Sequence, residues 1–190
     1  IQGIPRRGWL YEKLFSTDLA VKAVHNNLDL INKHFNKSEV VKANKRDYYN
    51  EDYGFKNRLK NRISNIFPGF MNFRMYHHPQ AYTKSNIADV YKHCKPEIDK
   101  TCKSRFRKST DLNQYIFRYW HLVKGEFHPY LENDFNTYNI SSREILHNCI
   151  NAMDTSRFVC VNDDVDLECA DVEYVYEKLT QAFDIHFPEE

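Results

Sequence analysis

The stretch DLNQYIFRYWHLVKG, Asp111 to Gly125, decides how the chain folds. Its apolar residues stand at Leu112, Tyr115, Ile116, Tyr119, Trp120 and Val123, the spacing that lines one face of an α-helix. Ser109 or Thr110 is expected to cap this helix, Asp111 to stand in its positively polarised first turn, and Gly125 to stop it. So aromatic a face needs other helices to cover it, which points to a helical core built around this segment.

Outward from it, DLAVKAVHNNLDLINKHF (Asp18 to Phe35) repeats apolar residues at Ala20, Val24, Leu28, Ile31 and Phe35. An amphipathic helix capped by Asp18 follows from that spacing. Shorter helices are expected over 38–47 and 53–67, the second ended by Pro68. FMNFRMY, residues 70–76, alternates like a strand that would deliver the next residues to a rim. A helix over 84–94 is predicted with Ser85 as cap and Ile87, Val90, Tyr91 and Cys94 inward. Ser141 and Glu144 form a capping box for a helix ending near Met153. FVCV, 158–161, reads as a short buried strand, and a final helix over 168–183 turns Val172, Val175, Tyr176, Leu179, Ala182 and Phe183 inward. The fold class is mixed α/β, mostly helical with a few short strands. The chain reads as a single region, with a helical segment at 1–67 and the chemically informative motifs at 68–190. Its opening, IQGIPRRGWLYEKLF, reads as the interior of a longer protein.

Lys and Arg number 27 against 26 Asp and Glu, so no global positive field drives nucleic-acid binding. Charge is uneven locally. KTCKSRFRK (Lys100 to Lys108) holds five cations and no acid, whereas NDDVDLECADVE (Asn162 to Glu173) is strongly acidic. The five cysteines form no CxxC pair and no zinc spacing, which fits reduced thiols in a cytoplasmic chain. No apolar run approaches a membrane span. GxGxxG, P-loop, HExxH and GxSxG motifs are all missing.

Four groups of residues suit a phosphorylated substrate. His77 and His78, before Pro79, sit where the backbone is held extended, so one imidazole can enter a cleft as a base near neutral pH. Lys84 lies near a helix start whose free amides favour an anion. Arg105 and Arg107 flank Phe106; in an extended segment they share one face, and Phe106 anchors the other. Asn162 and Asp163 close the FVCV strand, where a carboxylate reaches a ligand from a fixed backbone. The plain alternative for each is a solvated surface residue, and one acidic turn makes an incomplete metal site.

Read in order, HNNLDLINKHFNKSEVVKAN, HHPQAYTKS, DKTCKSRFRKSTDLNQYIFRYWHLVKGEFHP, FVCVNDD and the terminal HFPEE resemble the C-terminal conserved regions of the Stealth family of sugar-phosphate transferases. The resemblance covers nearly the whole chain. It implies the C-terminal portion of a glycosyltransferase-like catalytic fold. It also implies transfer of a hexose-1-phosphate from a nucleotide-diphosphate sugar to a hydroxyl of a glycan acceptor, in capsule or cell-surface polysaccharide synthesis. By similarity His77 is the proton-handling residue, Arg107 with Arg105 neutralises the diphosphate, Lys84 contacts substrate, and Asn162 and Asp163 position donor or acceptor. His78 stands where the family carries Leu or Met, which leaves the assignment between the two rings open. Lys103-Ser104 replaces a Ser-His pair. The family's N-terminal half, supplied in cis or as a separate chain, is an expected partner, as are Mg²⁺ and peripheral association with the inner face of the cell membrane. A non-catalytic glycan- or acceptor-binding module of the same family is the alternative.

Overall fold

The structure, a computed structural model, describes residues 8–74, 79–130, 135–163 and 169–188, without the side chains of 163 and 169–171. The chain divides into two compact units: Ile1–Met75 with Gln80–Leu131, and Tyr76–Pro79 with Glu132–Glu190. Among the described residues the architecture is mixed α/β and mostly helical, with short strands confined to the second unit.

The first unit contains α1 (Trp9–Phe15), α2 (Leu19–His34), α3 (Lys37–Ala43), α4 (Lys45–Tyr48), a 3-10 turn (Glu51–Tyr53), α5 (Gly54–Ser64), α6 (Lys84–Cys102) and α7 (Tyr115–Lys124). As the periodicity requires, α7 is the core helix, burying Tyr115, Ile116, Tyr119, Trp120, Leu122 and Val123. Leu28 and Ile31 of α2, Val40 and Val41 of α3, Tyr48 of α4, and Val90, Cys94 and Ile98 of α6 join the same cluster. Asp18 caps α2, its carboxylate accepting from Ala20 N at 2.7 Å. Gly125 ends α7 in the left-handed conformation, φ 73°, which costs an L side chain and leaves glycine free.

Several boundaries differ from expectation for identifiable reasons. α7 begins at Tyr115, so Asp111 lies outside it, and neither Ser109 nor Thr110 caps it. α6 does not stop at Cys94 but kinks there (φ −122°, ψ 21°) and continues to Cys102. Pro96 supplies the cause, lacking an N–H and crowding the carbonyl four residues back. Its cap is Thr83, whose hydroxyl accepts from Asn86 N, rather than Ser85; Tyr91 is exposed. The 70–74 segment is irregular apart from an isolated bridge at Phe73. Phe70 and Phe73 both enter the core and stack at 5.1 Å, a spacing of three that strand alternation forbids. Asn32 takes the place of a neighbouring strand: its Oδ1 accepts from Phe70 N at 2.7 Å and its Nδ2 donates to Phe70 O at 2.9 Å. Packing is therefore continuous across Phe67.

The second unit is a strand–helix–strand unit: β1 (Phe135–Ile140), α8 (Arg143–Met153) and β2 (Phe158–Asp163), followed by α9 (Cys169–His186). β1 and β2 pair in parallel, with Phe135 opposite Phe158 and Ile140 opposite Asp163. Ile140, Leu146, Cys149 and Val175 form its core with Tyr138, Val159 and Val161. Sequence reading missed β1 because FNTYNI is mostly polar. Ser142, not Ser141, caps α8 through Ile145 N. On α9 the inward face is Val175, Leu179 and Ala182, while Val172, Tyr176 and Phe183 face solvent.

Candidate functional site

The loop after α6 presents the arginines. Arg105, Phe106 and Arg107 are exposed in a bend rather than an extended segment. Phe106 anchors nothing: it is 75% exposed, and the Arg105 guanidinium lies 5.4 Å from its ring centroid. Among the described residues neither guanidinium makes an ion pair, so both charges stay available to an anion.

What fixes this loop is a polar network invisible to a search for charged motifs. Buried Asp111 accepts from Lys108 N at 2.8 Å and from Ser104 Oγ at 3.3 Å, closing the loop on itself. Thr101 Oγ1 accepts from Leu112 N at 3.0 Å. From α2, Asn26 Nδ2 donates to the carbonyls of Ser109 (2.9 Å) and Asp111 (2.8 Å), and fully buried Asn27 Nδ2 donates to Asn113 Oδ1 at 2.5 Å. Leaving a buried amide unpaired is costly, so the Asn27–Asn113 bond helps specify where the loop sits. The signal in the sequence was the polar pair Asn26-Asn27 set among the apolar positions of α2.

The long middle motif thus splits in two. Its RFR part is exposed, whereas Tyr119 and Trp120 of RYW are core. Trp120 Nε1 donates to Asp89 at 2.8 Å and Lys124 Nζ to the same oxygen at 3.0 Å, and these bonds hold the Asp89 carboxyl below its usual range.

Lys84 is exposed as the first residue of α6. The arginines follow that helix's other end. At ~1.5 Å rise per residue the two ends of that helix, Lys84 and Cys102, stand about 27 Å apart if it is straight and about 20 Å apart for a right-angled kink. His77 and His78 lie outside the described residues. Burial pulls His25, His34 and His121 below the usual imidazole value; His25 is buried in the first unit, while His34 and His121 are half-buried.

In the second unit, Asn162 stands opposite Asn139 in the parallel pair, and its Nδ2 donates to Asn139 Oδ1 at 3.1 Å. Cys160 Sγ lies 3.7 Å from Asn162 Oδ1. Asp163 ends β2 opposite Ile140; its side chain is outside the description. Both asparagines sit at the carboxyl ends of parallel strands, where open α/β sheets receive ligands. The Ser142-capped start of α8 follows β1 at the same end, so amide donors and side-chain amides gather there. Asn139 is an addition that sequence reading did not single out.

Among the described residues no group of three or more His, Cys, Asp or Glu is placed to hold a metal ion. No described helix is long and apolar enough to cross a membrane.

Comparison with known proteins decides the family. The chain is 32% identical over 168 residues, 87% of its length, to the capsular polysaccharide phosphotransferase WcwK of Streptococcus pneumoniae, of which the match covers 49%. It is 26% identical over 187 residues to the exopolysaccharide phosphotransferase cps2G of Lactiplantibacillus plantarum, covering 98% of the chain and 55% of that protein. The receptor polysaccharide phosphotransferase WefC of Streptococcus gordonii matches 102 residues at 28% identity, 54% of the chain and 30% of that protein. The chain belongs to this polysaccharide phosphotransferase family. It spans about half the length of the curated relatives it matches. No protein-family model matches, and no solved structure matches.

Proposed function

We propose that this chain is part of an enzyme that moves a hexose-1-phosphate from a nucleotide-diphosphate sugar to a hydroxyl of a glycan acceptor during capsule or cell-surface polysaccharide synthesis. The observation that carries the reading is the likeness to polysaccharide phosphotransferases over most of the chain, joined to two unpaired guanidiniums on a pinned loop.

In this reaction the acceptor oxygen attacks the phosphorus bonded to the sugar. The bond from that phosphorus to the bridging oxygen breaks, a nucleoside monophosphate leaves, and the anomeric bond survives. His77 takes the acceptor's proton, with His78 the alternative ring. Arg107, with Arg105, spreads the charge of the diphosphate over planar donor forks. Asp163 and Asn162 hold a hydroxyl at the strand end, and Lys84 contacts the substrate. Phosphoryl transfer asks little covalent work of the protein, so charge and positioning supply the acceleration. The glycosyltransferase-like Stealth fold would be completed by the remaining half of the longer relatives. Mg²⁺ would serve as a further counter-charge; the described residues assemble no ligand set for it, so no step is routed through it. We place the protein in the cytoplasm, at the inner face of the cell membrane where the growing polymer is held.

The test is turnover of the complete enzyme with Arg107→Ala and His77→Ala. Each should lower kcat/KM at least a hundredfold with folding retained, whereas wild-type turnover in both would overturn the assignment. Because the chain spans half of its relatives, a second reading is a binding module without catalysis. Titration separates them, since an acceptor module ignores the nucleotide sugar.

A further inference from the structure

The helix α5 is inside out. Its buried residues are Asn61 and Ser64, while Phe55, Leu59, Ile63 and, in the following turn, Ile66 face solvent, Phe55 at 72% and Ile66 at 80% exposure. Asn61 Nδ2 donates to Tyr48 O at 2.7 Å and the Ser64 carbonyl accepts from Lys37 Nζ, so the polar face is the one locked to the protein. At ~100° per residue the four apolar side chains fall in an arc of about 80°. Lys56 and Lys60 border that arc on one side, Arg58 and Arg62 on the other. From Gly54 to Ile66 the sequence has four cations and no acid.

Apolar residues on the outer face require an apolar occupant, and the flanking cations say which. A protein surface that matched them would need two parallel rows of carboxylates around an apolar strip. A bilayer with anionic headgroups supplies this arrangement everywhere: acyl chains receive the apolar arc while Lys and Arg stems reach up to the phosphates. A second observation agrees. Beyond the C-terminal end of α5 opens a pocket of about 380 Å³ walled by Lys37, Lys42, Lys45, Tyr49, Asn65 and Phe67, with three lysines and no carboxylate. Lys37 is buried and gives its ammonium hydrogens to the carbonyls of Ser64, Phe67 and Gly69, so Lys42 and Lys45 are the pocket cations left to a ligand.

We propose that α5 docks the protein on an anionic lipid surface, its apolar face at the acyl boundary and the neighbouring lysine pocket receiving a lipid phosphate. The inference deepens the membrane-face location proposed above, and vesicle binding reads it without turnover, so either can fail alone. The test is co-sedimentation of the 190-residue chain with phosphatidylcholine vesicles containing about a quarter phosphatidylglycerol, and with phosphatidylcholine alone. The chain should bind the first, lose binding with added salt, and ignore the second. Lys56→Gln with Lys60→Gln, at roughly fivefold per cation, should weaken partition about twenty-fivefold, and Phe55→Ser with Ile66→Ser at least tenfold. All four positions are exposed, so melting temperatures should hold and loss of binding would not reflect unfolding. The proposal is overturned if wild-type chain ignores anionic vesicles, or if both double variants bind as well as wild type. It is also overturned if Phe55→Ser with Ile66→Ser only converts a self-associated chain to monomer, which would make the face a contact between copies.

Discussion

Lys37 offers the sharpest test of how the first unit is held together. Its ammonium is buried and donates to the carbonyls of Ser64, Phe67 and Gly69, fastening the segment after α5 to α3. Burial lowers its pKa from 10.5 to about 8. Below pH 8 the amine is protonated both folded and unfolded, and the desolvation cost is carried in full. Between about pH 8 and 10.5 the unfolded chain keeps a proton that the folded chain has released. Unfolded protein then binds more protons, so stability must rise with pH through that window. At ~1.36 kcal/mol per unit the rise is at most about 3 kcal/mol, reduced to the extent that the carbonyls prefer the charged form. Lys37→Met removes the titration but orphans three carbonyls, costing about 1–3 kcal/mol at neutral pH. Urea unfolding of both proteins across the window isolates Lys37 from tyrosines and other lysines, because only the difference is read. The difference between wild type and variant should widen with pH. Parallel curves within about 0.5 kcal/mol would refute a buried, depressed ammonium here.

Other outcomes follow from particular contacts. Asp111→Ala should open the arginine loop, raising the rate of trypsin cleavage after Arg105 and Arg107 about tenfold with little change in melting temperature, since the bonds it removes are local and the Asn26 ties to α2 remain. Gly125→Ala should cost about 1–2 kcal/mol in urea unfolding, because φ is 73° and the added Cβ would run into Asn44 Oδ1, forcing that side chain aside. An aromatic disulfide reagent should modify exposed Cys102 first, and Cys102→Ser should remove that fast phase. Cys94, whose thiol burial raises to about 11, should react only on unfolding.

Elements were legible where one face is apolar and a cap is spelled out. Asp18 and Gly125 marked helix ends correctly, and FVCV marked β2, because each satisfies backbone groups through its own residue type. Strand β1 was illegible because FNTYNI carries polar residues on the face its own unit leaves uncovered. The course of α6 past Pro96 was hidden for another reason: tertiary packing of Val90, Cys94 and Ile98 on one core face outweighs the lost hydrogen bond. On α9 the expected inner set mixed two faces, since Val172, Tyr176 and Phe183 are as apolar as the residues that pack. For the site, the sequence revealed which groups are charged but not what holds them. Asp111 closes the loop locally through Lys108 N and Ser104 Oγ, while Asn26 and Asn27 tie it to α2 from far along the chain, a pairing no local pattern encodes. That α6 runs from Lys84 to the start of the arginine loop was likewise not legible, because the expected helix stopped at Cys94.

The central claim is that a phosphate travels with the sugar. The complete enzyme should be given a nucleotide-diphosphate sugar radiolabelled at the phosphorus next to the hexose, together with its glycan acceptor. The label should move into the polymer while unlabelled nucleoside monophosphate is released. Label released as nucleoside diphosphate, with only the sugar transferred, would contradict the account.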